Sequence, residues 1–357
     1  MKRLISIVLL MSLMLCACGK KPAETTLSTT EETVTASTAG EVTEKPTEVS
    51  ALYRHPLTGE PQDKPFLERP VSVSLNNIVD AMPQLGIGGA DILYEIETEG
   101  GITRCLGIFS DYKDLPKIGA VRSARTYFVN VSLAYDAVFA HCGGSDYAMI
   151  PSYDSTGTVL KNWEHLDAMY LSGFSRDQDR LNSGYAYEHT LVTNGEKLQK
   201  MLDDKGYKMH LDQTADYGLQ FSEEVPIQGE PAENVEIRFQ GGKKTYMTFN
   251  PETGFYEAHQ YDRDWIDGNT KENLSFKNLI MLQTKQFKPD EYHSMYDLQG
   301  SGKGYLAIGG KIMPIKWQRD DVHKPFRYTF EDGTPVVLGV GKTYVAVDSL
   351  NGSVSYT

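Results

Sequence analysis

Basic residues are scarce in this chain. Its 35 lysines and arginines are outnumbered by 48 aspartates and glutamates, and the formal charge at pH 7 is −13. A surface of that sign forfeits the counterion release that drives binding to a polyphosphate, which argues against nucleic acid as a partner. No apolar run reaches the roughly 20 residues that a mature membrane-spanning helix needs. A phosphate-binding glycine loop, a Gly-x-Ser-x-Gly elbow and a zinc-binding helix are also absent, and His141, His165 and His189 lack zinc-ligand spacing. No metal and no cofactor is therefore expected. Cysteine is rare as well, with four in 357 residues.

What is present begins with an address. Lys2 and Arg3 precede an apolar run over residues 4–15, which ends in Leu15-Cys16-Ala17-Cys18-Gly19. The run has signal-peptide length, and its end resembles a bacterial lipobox cut before Cys18. Residues 1–17 read as a lipoprotein-type signal peptide, with Cys18 as the lipidated residue. Residues 18–50 form a Thr/Glu-rich linker without aromatic residues or hydrophobic period, and are expected to be disordered. Their root-mean-square span would be roughly 30 Å, enough to hold a globular part off the outer face of the cytoplasmic membrane. Two further cysteines, Cys105 and Cys142, fall in or just after expected strands. They are either bridged or two buried thiols.

The ordered part is expected to be of α+β or α/β class, with an α/β domain over residues 51–220 and a mainly antiparallel β domain over residues 221–357. In the first, alternating runs at 71–75, 91–97 and 103–109 predict strands, with Gly100-Gly101 as a hairpin turn. A helix is expected from the 118–125 turn to about Ala134, with Ser123 near its N-cap, and another over 194–205 stopped by Gly206. The turns after 76, 118 and 141 gather at one sheet edge if their strands are parallel, and open α/β sheets bind ligands at such an edge. In the second domain eight strand-like runs lie between residues 235 and 347, separated by turns such as Asp332-Gly333.

The segment Ile-Gly-Ala-Val-Arg-Ser-Ala-Arg at 118–125 poses the sharpest functional question. A helix N-terminus already carries about half a positive charge, so Arg122 and Arg125 beside one need an anionic answer. One arrangement is an anion clamp of Arg104, Arg122, Ser123 and Arg125, with Glu99 and His141 beside it, since guanidinium forks match phosphate and carboxylate oxygens. The other is internal pairing with Asp91, Glu95, Glu97, Glu99 or Asp111. The acidic stripe from Asp91 to Glu99 reads as a solvated sheet face or as those arginines' partners. His189 and Tyr187 read as packed and hydrogen-bonded. His141 and Cys142, adjacent on an extended chain, point to opposite faces and do not suit a catalytic dyad.

Several runs together resemble one family. They are Arg69-Pro70-Val71, Leu75-Asn76-Asn77, Met82-Pro83-Gln84, Ala90-Asp91-Ile92-Leu93-Tyr94-Glu95, Glu99-Gly100-Gly101-Ile102-Thr103-Arg104, Val121-Arg122-Ser123-Ala124-Arg125 and His141-Cys142-Gly143-Gly144-Ser145. In the second half Gly302-Lys303-Gly304 and Ile315-Lys316-Trp317 join them. The set resembles the YerB-like bacterial lipoproteins, departing at Ala120, where that family's motif has proline. The resemblance implies a two-domain surface lipoprotein of a Gram-positive bacterium and brings no settled activity. The function expected is a non-catalytic binder of an anionic envelope ligand, such as a wall polymer or lipid-linked precursor, or of an envelope protein. The alternative is a wall-assembly enzyme acting on lipid-linked (pyro)phosphates.

Overall fold

Val71-Ser72-Val73-Ser74-Leu75-Asn76 alternates apolar and small polar side chains, and it forms the strand β1 (Val71–Asn76), buried along its whole length. Such a run fits the middle of a sheet covered on both sides. The computed structural model describes residues 53–149, 163–225 and 228–357, all within the compact unit Ser50–Thr357. The expected signal peptide, Cys18 and the linker lie outside the described residues.

Strand β2 (Ile92–Glu97) turns through Gly100 and Gly101, at φ of 78° and 72°, into β3 (Thr103–Phe109). These are left-handed angles that favour glycine. The hairpin pairs antiparallel, and β3 lies between β2 and β1. Helix α1 (Thr126–Ala134) leads to β4 (Val138–His141), which joins β1 in parallel, and β5 (His165–Asp167) joins β4 in parallel. Helix α2 (Gly195–Lys205) is capped by the Asn194 side chain, which accepts the Lys197 N–H at 2.9 Å, and is stopped by Gly206 at φ 67°. Its buried Leu198, Met201 and Leu202 follow the 3.6-residue period.

The C-terminal half adds β6 (Asn234–Arg238), β7 (Lys244–Asn250) and β8 (Phe255–Gln260), then β9 (Asn278–Thr284), β10 (Gly300–Ile308), β11 (Lys311–Arg319), β12 (Thr343–Ser349) and β13 (Ser353–Tyr356). One sheet of 11 strands runs β11-β10-β9-β12-β2-β3-β1-β4-β5, with two short strands, Glu230–Pro231 and Arg327–Phe330, paired to β11. Both halves of the chain thus share one sheet, joined where β12 pairs in parallel with β2.

One expectation is met only in part, and the other holds with one exception. The first half is β-rich and mixed rather than an α/β unit, because the Gly100-Gly101 hairpin inserts β3 antiparallel between two parallel strands. Among the described residues only α1 and α2 exceed five residues. The second half is antiparallel in β6 to β8 and β9 to β11, but β12 runs parallel to both its neighbours.

Side-chain alternation assigns the two faces. Leu93 of β2 packs with Val235, Ile237, Met247 and Ala258 of a second sheet of six strands, while Leu198 and Leu202 of α2 belong to the same core. Ile92, Tyr94 and Ile96 point the other way, into a core with Phe128, Val129 and Val131 of α1. No described helix is long and apolar enough to cross a membrane.

Between the two sheets lies a buried polar network. Glu95, fully buried, receives Asn77 Nδ2 at 2.9 Å and Thr103 Oγ1 at 2.6 Å on one oxygen, and Thr245 Oγ1 at 2.8 Å and Tyr344 Oη at 2.6 Å on the other. Lys243 pairs with it. Asn77 in turn accepts Gln84 and Gln260 amides at 2.7 and 3.0 Å, and Gln84 accepts the Trp265 indole N–H at 3.0 Å. The acidic stripe is therefore no solvated face: Glu95 and Glu97 are buried, and Glu99 alone among them pairs with an arginine.

Candidate functional site

Strands β1, β2, β4, β5, β9 and β12 all run in one direction, because each parallel pair, and the shared antiparallel neighbour β3, fixes the next. Their carboxyl ends, at Asn76, Glu97, His141, Asp167, Thr284 and Ser349, line one edge of the sheet. Residues 118–125 are stitched across part of that edge. Asn76 N–H donates to the Ala120 carbonyl at 2.9 Å, Arg122 N–H to Ser74 at 2.9 Å, Cys142 N–H to Arg122 at 3.0 Å and Ala124 N–H to Gly143 at 2.9 Å. The peptide between Gly119 and Ala120 is cis. This main-chain lacing, rather than a regular strand, aims the arginines.

The helix begins later than the sequence suggests. Its N-cap is Arg125, with no side-chain cap, and Ser123 lies two residues outside. Ser123 contributes its carbonyl, which accepts Arg104 Nη1 at 3.2 Å and Ser74 Oγ at 3.3 Å. Arg125 meets Glu99 in a fork, with Nε 3.0 and 2.9 Å from the two carboxylate oxygens and Nη2 at 2.9 Å from one of them. Burial pushes the Glu99 carboxyl up, but the hydrogen bond and charge of Arg125 outweigh it and hold the group below its ordinary value.

The other two guanidiniums are answered differently. Arg104 is 7% exposed, and among the described residues it forms no ion pair. Burial, with Arg125 and Arg122 nearby, brings its pKa down to about 10. Arg122 donates Nη1 to the Glu188 carbonyl at 3.1 Å, while its buried Nε has no hydrogen-bond partner among the described residues. Burial lowers its pKa against the attraction of Glu188, and Arg125 and Arg176 repel it. Arg176 lies 3.8 Å over the ring of Tyr187, and Tyr187 is 62% exposed rather than packed. His189 is buried and hydrogen-bonded to Asn76 at 3.0 Å.

His141 presents no free nitrogen to this group. Nδ1 meets the Gly143 carbonyl at 2.8 Å, Nε2 meets His165 Nδ1 at 2.9 Å, and burial lowers its pKa to about 4. Cys105 is buried, Cys142 is half-buried, and both are free thiols. Sequence reasoning missed two participants. Asp167, at the end of β5, is 3% exposed and accepts the Gly143 and Met169 N–H groups at 2.8 and 2.9 Å on Oδ1. Asp348, at the end of β12, is pushed up to about 7 by burial and by Glu97. Only the parallel pairing of the strands brings either to this edge.

Residues 57–208 match the family described as Protein of unknown function (DUF3048) N-terminal domain, and residues 235–345 match the corresponding C-terminal domain. The chain belongs to the YerB-like two-domain family. Over 272 residues it is 29% identical to the Bacillus subtilis (strain 168) protein named "Putative lipoprotein YerB", covering 74% of this chain and 77% of that one. The crystal structure of YerB protein from Bacillus subtilis matches it with a TM-score of 0.71 at 26% identity, over 85% of this chain and 99% of that chain. In the YerB-like chain all three arginines and Asp167 fall within the N-terminal family domain. Lys243 of the buried network falls within the C-terminal one.

Proposed function

We propose that this YerB-like chain is a non-catalytic, lipid-anchored envelope protein that holds an anionic ligand on Arg104, Arg122 and Arg125 at the carboxyl edge of its sheet. One observation carries the reading: Arg104 is buried and Arg122 half-buried, yet their described hydrogen bonds go to main-chain carbonyls. A buried cation without an ion pair is costly, and among the described residues only Arg125 of the three has a carboxylate in salt-bridge contact, which leaves guanidinium donors for a phosphate or carboxylate to meet. Anchoring through Cys18 on the outer face of the cytoplasmic membrane rests on the Leu15-Cys16-Ala17-Cys18 run and on the name of the B. subtilis relative. The wall-assembly alternative draws on Glu99 or Asp91, and Glu99 is taken by the Arg125 fork while Asp91 is bonded to Ser110, which supports the binder over the enzyme.

Calorimetric titration of the full mature chain with pyrophosphate tests the reading. The wild type should bind, and Arg122→Gln should lose about tenfold or more in affinity, since a charge-assisted bond is worth on the order of 1.5–3 kcal/mol. Absence of binding, or equal affinity in the variant, overturns it.

A further inference from the structure

A cavity of about 260 Å3 lies apart from the arginine edge, and none of Arg104, Arg122 and Arg125 lines it. Its walls are mainly apolar. Met82 and Pro83 come from the N-terminal family domain, and Tyr261, Trp265 and Ile266 from the C-terminal one. Seams between domains, walled by apolar and aromatic side chains, are where small ligands commonly bind. The backbone here is strained. Of the four described non-glycine residues with left-handed φ, three gather at this wall. Tyr261 at 54° and Asp262 at 58° form the two-residue turn between β8 and Arg263–Asp264, and Lys271 stands at 66°. Asparagine, aspartate or glycine ordinarily fill such a turn. Tyr261 is held there by its Oη, which donates to the Asn77 carbonyl at 2.6 Å and fixes the ring as part of the wall. Backbone strain of this kind clusters at ligand sites.

The cavity's mouth is charged. Lys271 Nζ donates to the Gly268 carbonyl at 2.6 Å, and Asp264 meets His259 Nδ1 at 2.9 Å. Arg263 also lines the cavity, is exposed, and among the described residues its side chain has no hydrogen bond or ion pair. A free guanidinium at the mouth of an apolar cavity matches a ligand that joins a ring to a carboxylate. An apolar cavity of about 150 Å3 takes a benzene ring. The volume here therefore suits a ring with a short acid arm, and is small for a length of polypeptide.

We infer that this seam is a second binding site, for a small aromatic carboxylic acid, with the ring against Met82, Tyr261 and Trp265 and the carboxylate on Arg263. It stands independently of the anion-binding reading above.

The test is calorimetric titration of the full mature chain with 3-phenylpropionate, with its amide, which keeps the ring and lacks the charge, and with propionate, which lacks the ring. The wild type should bind the aromatic acid about tenfold or more tighter than the amide, and propionate weakest of the three. Arg263→Gln, at an exposed position, should bring the acid down to the amide's affinity and leave the amide's own affinity unchanged. Arg122→Gln should leave both unchanged, so that this site and the arginine edge fail separately. No binding of the acid, equal affinity for acid and amide, or propionate bound as tightly as the acid overturns the inference in the wild type alone. An unchanged preference in Arg263→Gln, or its loss in Arg122→Gln, also overturns it. Tighter binding of the tripeptide Gly-Gly-Phe than of 3-phenylpropionate would overturn the assignment to a small ligand.

Discussion

Two places in this molecule bury positive charge, and they resolve it in opposite ways. Lys243 sits between the two sheets against Glu95, whose oxygens are surrounded by Asn77, Thr103, Thr245 and Tyr344 hydroxyl and amide donors. The rings of Phe239, Tyr261 and Trp265 also lie 5.6 to 5.7 Å from its ammonium. At the carboxyl edge three guanidiniums share one paired carboxylate, and a donor and an acceptor are left over. The first arrangement is closed within the chain and ties the two family domains together. The second is open, and an open set of buried polar groups is where a ligand contributes most.

The largest effect should come from breaking the closed arrangement. Lys243→Met leaves the Glu95 carboxyl buried and short of its cation, and removal of one partner from such a pair costs about 3–5 kcal/mol. Urea unfolding should show that loss in a single transition, since β12 and β2 join both halves in one sheet. Adding Glu95→Gln should cost much less than it does alone, which a double-mutant cycle reads as coupling. A loss under about 1 kcal/mol in Lys243→Met would erase the contrast.

The next effect depends on pH. Burial and Glu97 raise Asp348 to about 7, and its side chain is 6% exposed. A carboxyl raised in the folded state binds its proton more tightly there than in the unfolded chain. Its contribution is fully present below the unfolded value near 4 and is lost as pH rises through about 7. His141 acts with the opposite sign: burial lowers it to about 4, so its contribution falls away as pH drops below 6.5. Comparing Asp348→Asn with wild type isolates the first term. The difference in unfolding free energy should shift in the variant's favour between pH 4 and pH 7, by at most about 4 kcal/mol. A flat difference across that range would mean that the Asp348 carboxyl is ionised throughout.

Much of this contrast was readable in the sequence, but not evenly. Gly100-Gly101, Asn194 with Gly206, and the strand alternations are local signals, and the structure keeps them. The arginines stood out because two guanidiniums near a helix start demand an answer, and Glu99, which meets Arg125, was among the carboxylates the sequence offered. Glu188 was not, since it contributes a carbonyl that any residue carries, and Asp167 reaches this edge only through the β4–β5 pairing. Lys243 and Glu95 are 148 residues apart, and nothing local to either marks it as buried. Strand β8 escaped notice for a related reason: Phe255-Tyr256-Glu257-Ala258-His259-Gln260 buries Gln260, so its polar pattern disguises a regular alternation. The strand–helix alternation of an α/β unit breaks where β3 and β12 enter the sheet out of chain order, which periodicity does not report.

The smallest stability effect should be at Arg122, and its smallness carries information. Its guanidinium is lowered by burial and repelled by Arg125 and Arg176, while its described bond is to the Glu188 carbonyl. Arg122→Gln forfeits that bond, worth about 1 kcal/mol, and at the same time relieves the unpartnered Nε and the like-charge repulsion. These terms oppose, so the unfolding free energy should change by less than about 1 kcal/mol in either direction. Urea unfolding of the variant beside Lys243→Met gives the comparison directly. A residue whose loss leaves the fold intact and removes pyrophosphate binding is held for the ligand. A loss of 3 kcal/mol or more would instead make Arg122 structural, as Lys243 is, and would mean that the positive edge is balanced within the chain.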